Sequence, residues 1–174
     1  MKSLVLIVAL GLAAPAAQAS AESITDAQIA SIVVTANQVD IEAGRAAAAK
    51  TTNAEVKKFA QLMVTDHTGV NKSATELVTR LKVTPEDNET SQALKEGGAT
   101  NLKTLSALSG PAFDKAYVDH EIAYHQQVLD AVDKTLIPNS KNAELKALLV
   151  KVRPAFVAHL EHARHLQSTL GGKH

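Results

Sequence analysis

The sequence predicts an all-α protein folded as an antiparallel four-helix bundle, with an additional short helix in the crossover between its two hairpins. Three observations support this fold class. Apolar residues recur at helical spacing through four long segments, and turn-forming residues separate those segments. No segment shows the alternation of apolar and polar residues that marks a β-strand.

The beginning of the chain is predicted to be a signal peptide, residues 1–19. One basic residue, Lys2, precedes an apolar run that ends in small residues suited to a signal peptidase at Ala19 or, as the alternative, Ala21. The run contains Pro15 and is shorter than the roughly 20 apolar residues of a membrane-spanning helix. We therefore expect cleavage near Ala19, no stable membrane anchor, and a periplasmic or secreted domain over residues 20–174.

The composition excludes several classes of function. The 174 residues include no cysteine, which rules out disulfides and a lipid-modified N-terminal cysteine. Basic and acidic residues number 18 each, so no positive field is available to hold nucleic acid. Neither a Gly-x-Ser-x-Gly nucleophile motif nor a glycine-rich phosphate loop is present, which argues against a hydrolase.

The first hairpin is predicted from its caps and its break. The first helix begins at Thr25 or Asp26, either of which can cap it, and continues to about residue 50. A polar turn follows, and Asn53 is the expected N-cap of a second helix over residues 54–82. A loop over residues 83–89 then leads into the crossover.

The crossover and the second hairpin are also predicted from caps and breaks in the sequence. A shorter third helix is predicted over residues 90–108, weakened at Gly97 and Gly98. Ser109 is the expected cap of the fourth helix, residues 112–136, which the next proline ends. The last helix covers residues 142–170, and Pro154 is expected to kink it.

Polar residues interrupt the apolar stripe of each long helix near its middle. These residues are Asp40, His67, His125 and His159. In an antiparallel hairpin, Asp40 and His67 lie within ~5 Å of the same level. The second hairpin fits less well, with a mismatch of roughly 9 Å between His125 and His159, so His120 and Glu121 remain alternatives to His125.

Inward carboxylates and imidazoles are the groups from which helical bundles build transition-metal sites. The candidate ligands are Asp40, His67, His125 and His159, with Asp66, His120, Glu121 and His162 as secondary candidates. No Glu-x-x-His pair occurs, so a mononuclear site for zinc, copper or iron is favoured over a di-iron centre. The alternative is a buried hydrogen-bonded Asp–His network that binds nothing and fixes the register of the helices.

Several segments resemble a known family. They are QVDIEAGR from Gln38, VKKFAQLMVTDH from Val56, FDKAY from Phe113, HQQ from His125 and PAFVAHL from Pro154. Together they are similar to a large family of exported bacterial proteins with a ferritin-like bundle, catalogued as a domain of unknown function and often labelled outer membrane or periplasmic proteins. The resemblance implies an acidic residue, usually Glu, at position 40 and histidines at 67, 125 and 159. It also implies an Asp at the position of Tyr124, so a carboxylate that supports His125 is expected to be missing.

Two functional hypotheses follow from the sequence. In the first, the protein is an exported bundle that binds a transition metal in its core. In the second, it is a non-catalytic helical module that binds a partner or supports envelope stress tolerance, with structural buried histidines. No catalytic residue is assigned, no protein partner is indicated, and the sequence is compatible with oligomers.

Overall fold

The computed structural model describes residues 24–171. The predicted signal peptide, residues 1–19, and its cleavage sites lie outside the described residues. The helices are α1 (Asp26–Lys50), α2 (Ala54–Leu81), α3 (Glu89–Ala107), α4 (Gly110–Ala131), a π-helical segment (Val132–Leu136), the short α5 (Ile137–Asn139) and α6 (Ala143–Gly171). Within these residues the chain is all-helical, as the sequence predicts.

The predicted caps of the first hairpin are confirmed. The Thr25 hydroxyl accepts a hydrogen bond from the backbone N–H of Gln28, and the Gln28 side chain accepts one from the Thr25 N–H. The Asn53 side chain accepts from the N–H groups of Glu55 and Val56. Ser109 precedes α4 without making a side-chain cap, so its predicted capping bond is wrong.

Four long helices form the bundle, and α3 packs outside them. The two tightly packed pairs are α1 with α2 and α4 with α6. A three-residue connection joins α1 to α2, which makes that pair an antiparallel hairpin. α3 crosses between the hairpins and lies mainly against α1. This arrangement confirms the predicted four-helix bundle with a helix in the crossover.

Two glycines that were expected to weaken α3 lie inside an unbroken helix. A Cβ atom on Gly98 would lie 2.8 Å from Cγ1 of Val39, so glycine at this position permits the close approach of α3 to α1. The contribution of Gly98 to helix packing thus outweighs its low helix propensity.

The end of the fourth helix differs from the prediction. The chain does not break at Pro138, because helical structure continues through a π-helical segment and α5 to Asn139. A proline ring clashes with the carbonyl group four residues earlier in a regular α-helix, and the wider π turn relieves that crowding. α6 likewise continues through Pro154 without a break.

The apolar core divides into two large clusters at opposite ends of the bundle. One contains Ala43, Ala47, Val56, Phe59, Ala60, Met63, Leu105, Phe113, Tyr117, Val118, Ala163 and Leu166. The other contains Ile29, Ile32, Val33, Ala74, Leu77, Val132, Leu136, Leu145 and Leu149. We call them the first and second end cores. The polar residues that interrupt the helical stripes lie between them.

Among the described residues, no helix is long and apolar enough to cross a membrane.

Candidate metal centre

The four stripe-interrupting residues come together in the middle of the bundle. They are Asp40 on α1, His67 on α2, His125 on α4 and His159 on α6, and each is 1–3% exposed. Each helix therefore contributes one buried ionisable side chain to the same layer. We call this group, with Glu121, the central cluster.

The first hairpin brings Asp40 and His67 to the same level, as predicted. Oδ2 of Asp40 lies 3.2 Å from Nε2 of His67. The same carboxylate oxygen lies 3.5 Å from Nε2 of His125, which belongs to the second hairpin. Asp40 thus lies beside one histidine from each hairpin.

The ring of His67 is held by Asn37, a residue that the sequence analysis missed. Asn37 donates from Nδ2 to the carbonyl oxygen of Val33 at 2.7 Å, which leaves its Oδ1 as an acceptor. Nδ1 of His67 lies 2.7 Å from that Oδ1 and must therefore donate its proton to it. The lone pair of the neutral ring is then at Nε2, on the side of Asp40. The spacing of Asn37 and Asp40, one helical turn apart on a buried stripe, was the signal that could have revealed it.

His125 is oriented in the same way by Glu121. Nδ1 of His125 lies 3.0 Å from the backbone carbonyl oxygen of Glu121 and donates to it, which places the lone pair at Nε2. The carboxylate of Glu121 also lies 3.4 Å from this Nδ1. The support for His125 thus comes from a backbone carbonyl group, since Oε2 of Glu121 accepts no hydrogen bond from it. Tyr124 instead donates its hydroxyl proton to the carbonyl oxygen of Ala36, tying α4 to α1.

Of the three candidates on α4, Glu121 and His125 belong to the central cluster and His120 does not. Glu121 and His125 are both 1% exposed and both belong to the central cluster. His120 is half-buried outside the cluster, where its ring stacks on Tyr124 at a centroid separation of 5.6 Å. The register mismatch predicted for the second hairpin does not separate His125 from His159, whose rings lie 5.4 Å apart.

His159 connects the cluster to the protein surface. Its Nε2 lies 2.9 Å from Oδ2 of Asp66, whose side chain is 39% exposed. Donation of the Nε2 proton to this carboxylate leaves the lone pair at Nδ1. Asp66 thus supports His159 from outside the cluster. The remaining secondary candidate, His162, is half-buried and packs edge-on against Phe59 at 5.0 Å.

Six buried polar atoms of the cluster have no hydrogen-bond partner among the described residues. They are Nε2 of His67, Nε2 of His125, Nδ1 of His159, both carboxylate oxygens of Asp40, and Oε2 of Glu121. Ligand atoms of His67, His125 and His159 lie within 4.8 Å of one another, as do those of Asp40, Glu121 and His125. Buried polar atoms are nearly always paired, so this convergence requires an explanation. Three imidazole nitrogens beside a carboxylate are a donor set that fits a transition-metal ion.

Burial sets the protonation of the cluster. Desolvation, together with the neighbouring histidines, lowers the pKa of His67 to about 2 and that of His125 to about 4. Desolvation raises the pKa of Asp40 to about 8 and, with the nearby Asp40 carboxylate, raises the pKa of Glu121. At neutral pH the imidazoles are therefore uncharged, which is the form that binds metal. A cation beside Asp40 would favour its ionised form.

Comparison with known proteins supports the fold. Residues 11–166 match a family described as a domain of unknown function, DUF4142. A solved structure, CopM in the Cu(II)-bound form, superposes with a TM-score of 0.64 at 15% sequence identity, covering 84% of this chain and 98% of that chain. This likeness confirms the helical-bundle fold. No curated protein matches the sequence.

Proposed function

This chain belongs to the DUF4142 family, and we propose that it binds one divalent transition-metal ion, copper by preference, in the middle of its helical bundle. His67, His125 and His159 would each supply one nitrogen, and Asp40 would supply one carboxylate oxygen. The convergence of unpartnered ring nitrogens on a buried carboxylate is the observation that carries this proposal.

The orientation of the histidines supports the proposal. Each ring has its outward nitrogen engaged, by Asn37, by the Glu121 carbonyl group or by Asp66. Hydrogen bonds of this kind fix the ring orientation and the tautomer of metal-binding histidines. A network that served only to fix helix register would gain most by pairing the inward nitrogens as well.

Copper is favoured among the divalent ions by two considerations. Sites of nitrogen and oxygen ligands bind Cu(II) more tightly than the other divalent first-row metals, including Zn(II). The structurally similar CopM is described in a Cu(II)-bound form. With the predicted signal peptide, these considerations favour a metal-binding protein that acts in the periplasm or after secretion.

Metal content measures this function directly. The protein without its predicted leader is loaded with Cu(II), Zn(II) or Fe(II), desalted and analysed by elemental mass spectrometry. We expect about one copper ion per chain, and loss of copper in His67→Ala and His159→Ala. His165→Ala is the matched control, because His165 is an exposed residue on the same helix as His159 and should leave the copper content unchanged.

One observation favours the second hypothesis, a structural network. The raised pKa of Asp40 keeps its carboxyl group protonated at neutral pH. This group lies 3.2 Å from Nε2 of His67, close enough for the two side chains to interact without a metal. If the network were only structural, the protein would refuse added metal and a chelator would leave its melting temperature unchanged. Those two results together would overturn the proposed function.

A further inference from the structure

A cavity of about 60 Å³ adjoins the central cluster. Its walls come from α1, α3, α4, the π-helical segment and α6. They are mainly apolar and include Ile32, Val33, Val128, Val132, Leu149 and Val152. Its inner end is bounded by Asn37, Asp40, His67 and His125. The cavity therefore joins an apolar space to three residues of the central cluster, each of which has a polar atom without a partner.

The size and lining of the cavity restrict what it can hold. A water molecule needs roughly 10–15 Å³ of such space and two to four polar partners. There is room for more than one, but most of the wall is apolar and offers no such partner. Dry cavities of about 150 Å³ bind benzene or xenon. A space of about 60 Å³ therefore suits an uncharged molecule smaller than benzene.

The cavity lies next to an open groove. The groove, of about 420 Å³, lies beside α3 and α4, where His120 and Gly97 contribute to its wall. The groove and the cavity share four lining residues, which are Thr90, Leu94, Tyr124 and Gln127. The two spaces are therefore adjacent.

We propose that this cavity binds a small uncharged molecule, of diatomic size or slightly larger, next to the central cluster. The apolar walls exclude ions and hydrated molecules, while the inner end presents the molecule to the imidazole rings of His67 and His125. The proposal deepens the proposed function, because it names the class of molecule that would lie beside a bound metal. The existence of the guest site does not depend on the metal.

Xenon is the probe that tests the cavity. Metal-free protein with ¹³C-labelled Val and Leu methyl groups is titrated with xenon and followed by NMR. We expect saturable shifts concentrated at Val132 and Leu149, and at least an approximately tenfold loss of xenon affinity in Val152→Phe, which fills the cavity. Val150→Phe is the matched control, since Val150 lies on the same helix, is 54% exposed and does not line the cavity.

A second variant makes the test independent of any folding defect in Val152→Phe. Ala131→Leu fills the cavity from α4 and should reduce xenon affinity in the same way. The absence of saturable shifts, or shifts that persist in both filled variants, would overturn the guest site. Xenon binding by a protein that does not bind copper would support the guest site and overturn the proposed function. Copper binding without xenon binding would support the proposed function and overturn the guest site.

Discussion

The end cores and the central cluster are built from the same four helices, yet their buried side chains differ in kind. In the first end core the largest fully buried residues are Phe59, Met63, Phe113 and Tyr117. In the central cluster the buried residues are carboxylates and imidazoles. Burial of an apolar side chain stabilises the fold by itself, whereas burial of an unpaired polar group opposes folding.

This difference separates the residues that stabilise the fold from those that we propose to bind metal. The end cores hold the helices in place, so the central cluster can keep polar atoms unpartnered at a cost in stability. A bound cation would interact with those atoms and so stabilise the folded state. Substitutions at the ends should therefore act on folding alone, and substitutions in the middle should act differently with and without metal.

The largest effect is expected at the first end core. Phe59 is fully buried and lies against Tyr117 and His162. Phe59→Ala should lower the free energy of unfolding by about 3–5 kcal/mol, because it removes apolar contacts and leaves a cavity. Urea denaturation in the presence and absence of copper measures this loss, which should be the same in both conditions once the stabilisation by bound metal is subtracted.

Leu62→Ala is the control for this prediction. Leu62 lies on the same helix but is 38% exposed, so its truncation should cost far less. If Phe59→Ala abolished copper binding while the protein remained folded, the separation between the end core and the central cluster would be wrong.

The fold could be predicted from the sequence because helical periodicity and capping are local signals. Thr25 and Asn53 marked the beginnings of α1 and α2 correctly. The predictions of helix breaks were wrong where contacts between residues distant in the sequence, or an irregular helical turn, determine the structure. Gly98 is tolerated in α3 because α1 approaches it closely, and Pro138 is accommodated by a π turn, neither of which a local pattern contains.

The candidate centre was only partly accessible to sequence reasoning. Helical rise was sufficient to place Asp40 and His67 together, because a three-residue turn fixes the register of α1 and α2. The level of His125 was predicted from a helix that ends at residue 136, whereas helical structure continues through the π-helical segment to Asn139. Asn37 escaped notice because its role depends on the side-chain bond to His67 rather than on its residue type.

A smaller effect is expected from the residue that orients His67. Asn37→Leu removes the acceptor for the Nδ1 proton of His67, so the ring loses its fixed tautomer and orientation. Loss of such a support typically weakens metal affinity by about 10–100-fold. Competition titration with a copper chelator of known affinity measures this change.

Two further variants sharpen the test of Asn37. Gln38→Leu alters the next residue along α1, which is exposed, and should leave copper affinity unchanged. Asn37→Asp keeps an acceptor oxygen for His67 and should retain more affinity than Asn37→Leu. Equal affinity in Asn37→Leu and the unsubstituted protein would mean that the orientation of His67 does not matter for binding.

The smallest effect is a pH dependence confined to the central cluster of the metal-free protein. The pKa of Asp40 is raised from 3.8 to about 8 by burial, so between these values the folded protein holds a proton that the unfolded chain has released. Stability contributed by this group therefore falls as pH rises. The lowered pKa values of His67, His125 and His159 act in the opposite direction, and this effect fades as the pH rises above 6.5, the pKa that these side chains have when unfolded.

Above about pH 7.5 the histidines of the unfolded chain have released nearly all of their protons, so the carboxyl groups dominate and the free energy of unfolding of the metal-free protein should decrease with rising pH. One proton corresponds to at most about 1.4 kcal/mol per pH unit. Asp40→Asn cannot ionise and should reduce this slope. Asp119→Asn is the control and should leave the slope unchanged. Asp119 is a partly exposed carboxylate on α4; burial tends to raise its pKa, but hydrogen bonds from Lys115 and Gln167 outweigh burial and lower it. Urea denaturation across this pH range gives the slopes. Equal slopes for Asp40→Asn and the unsubstituted protein would show that the central cluster is no costlier to ionise than the surface, and the contrast between the ends and the middle of the bundle would then rest on packing alone.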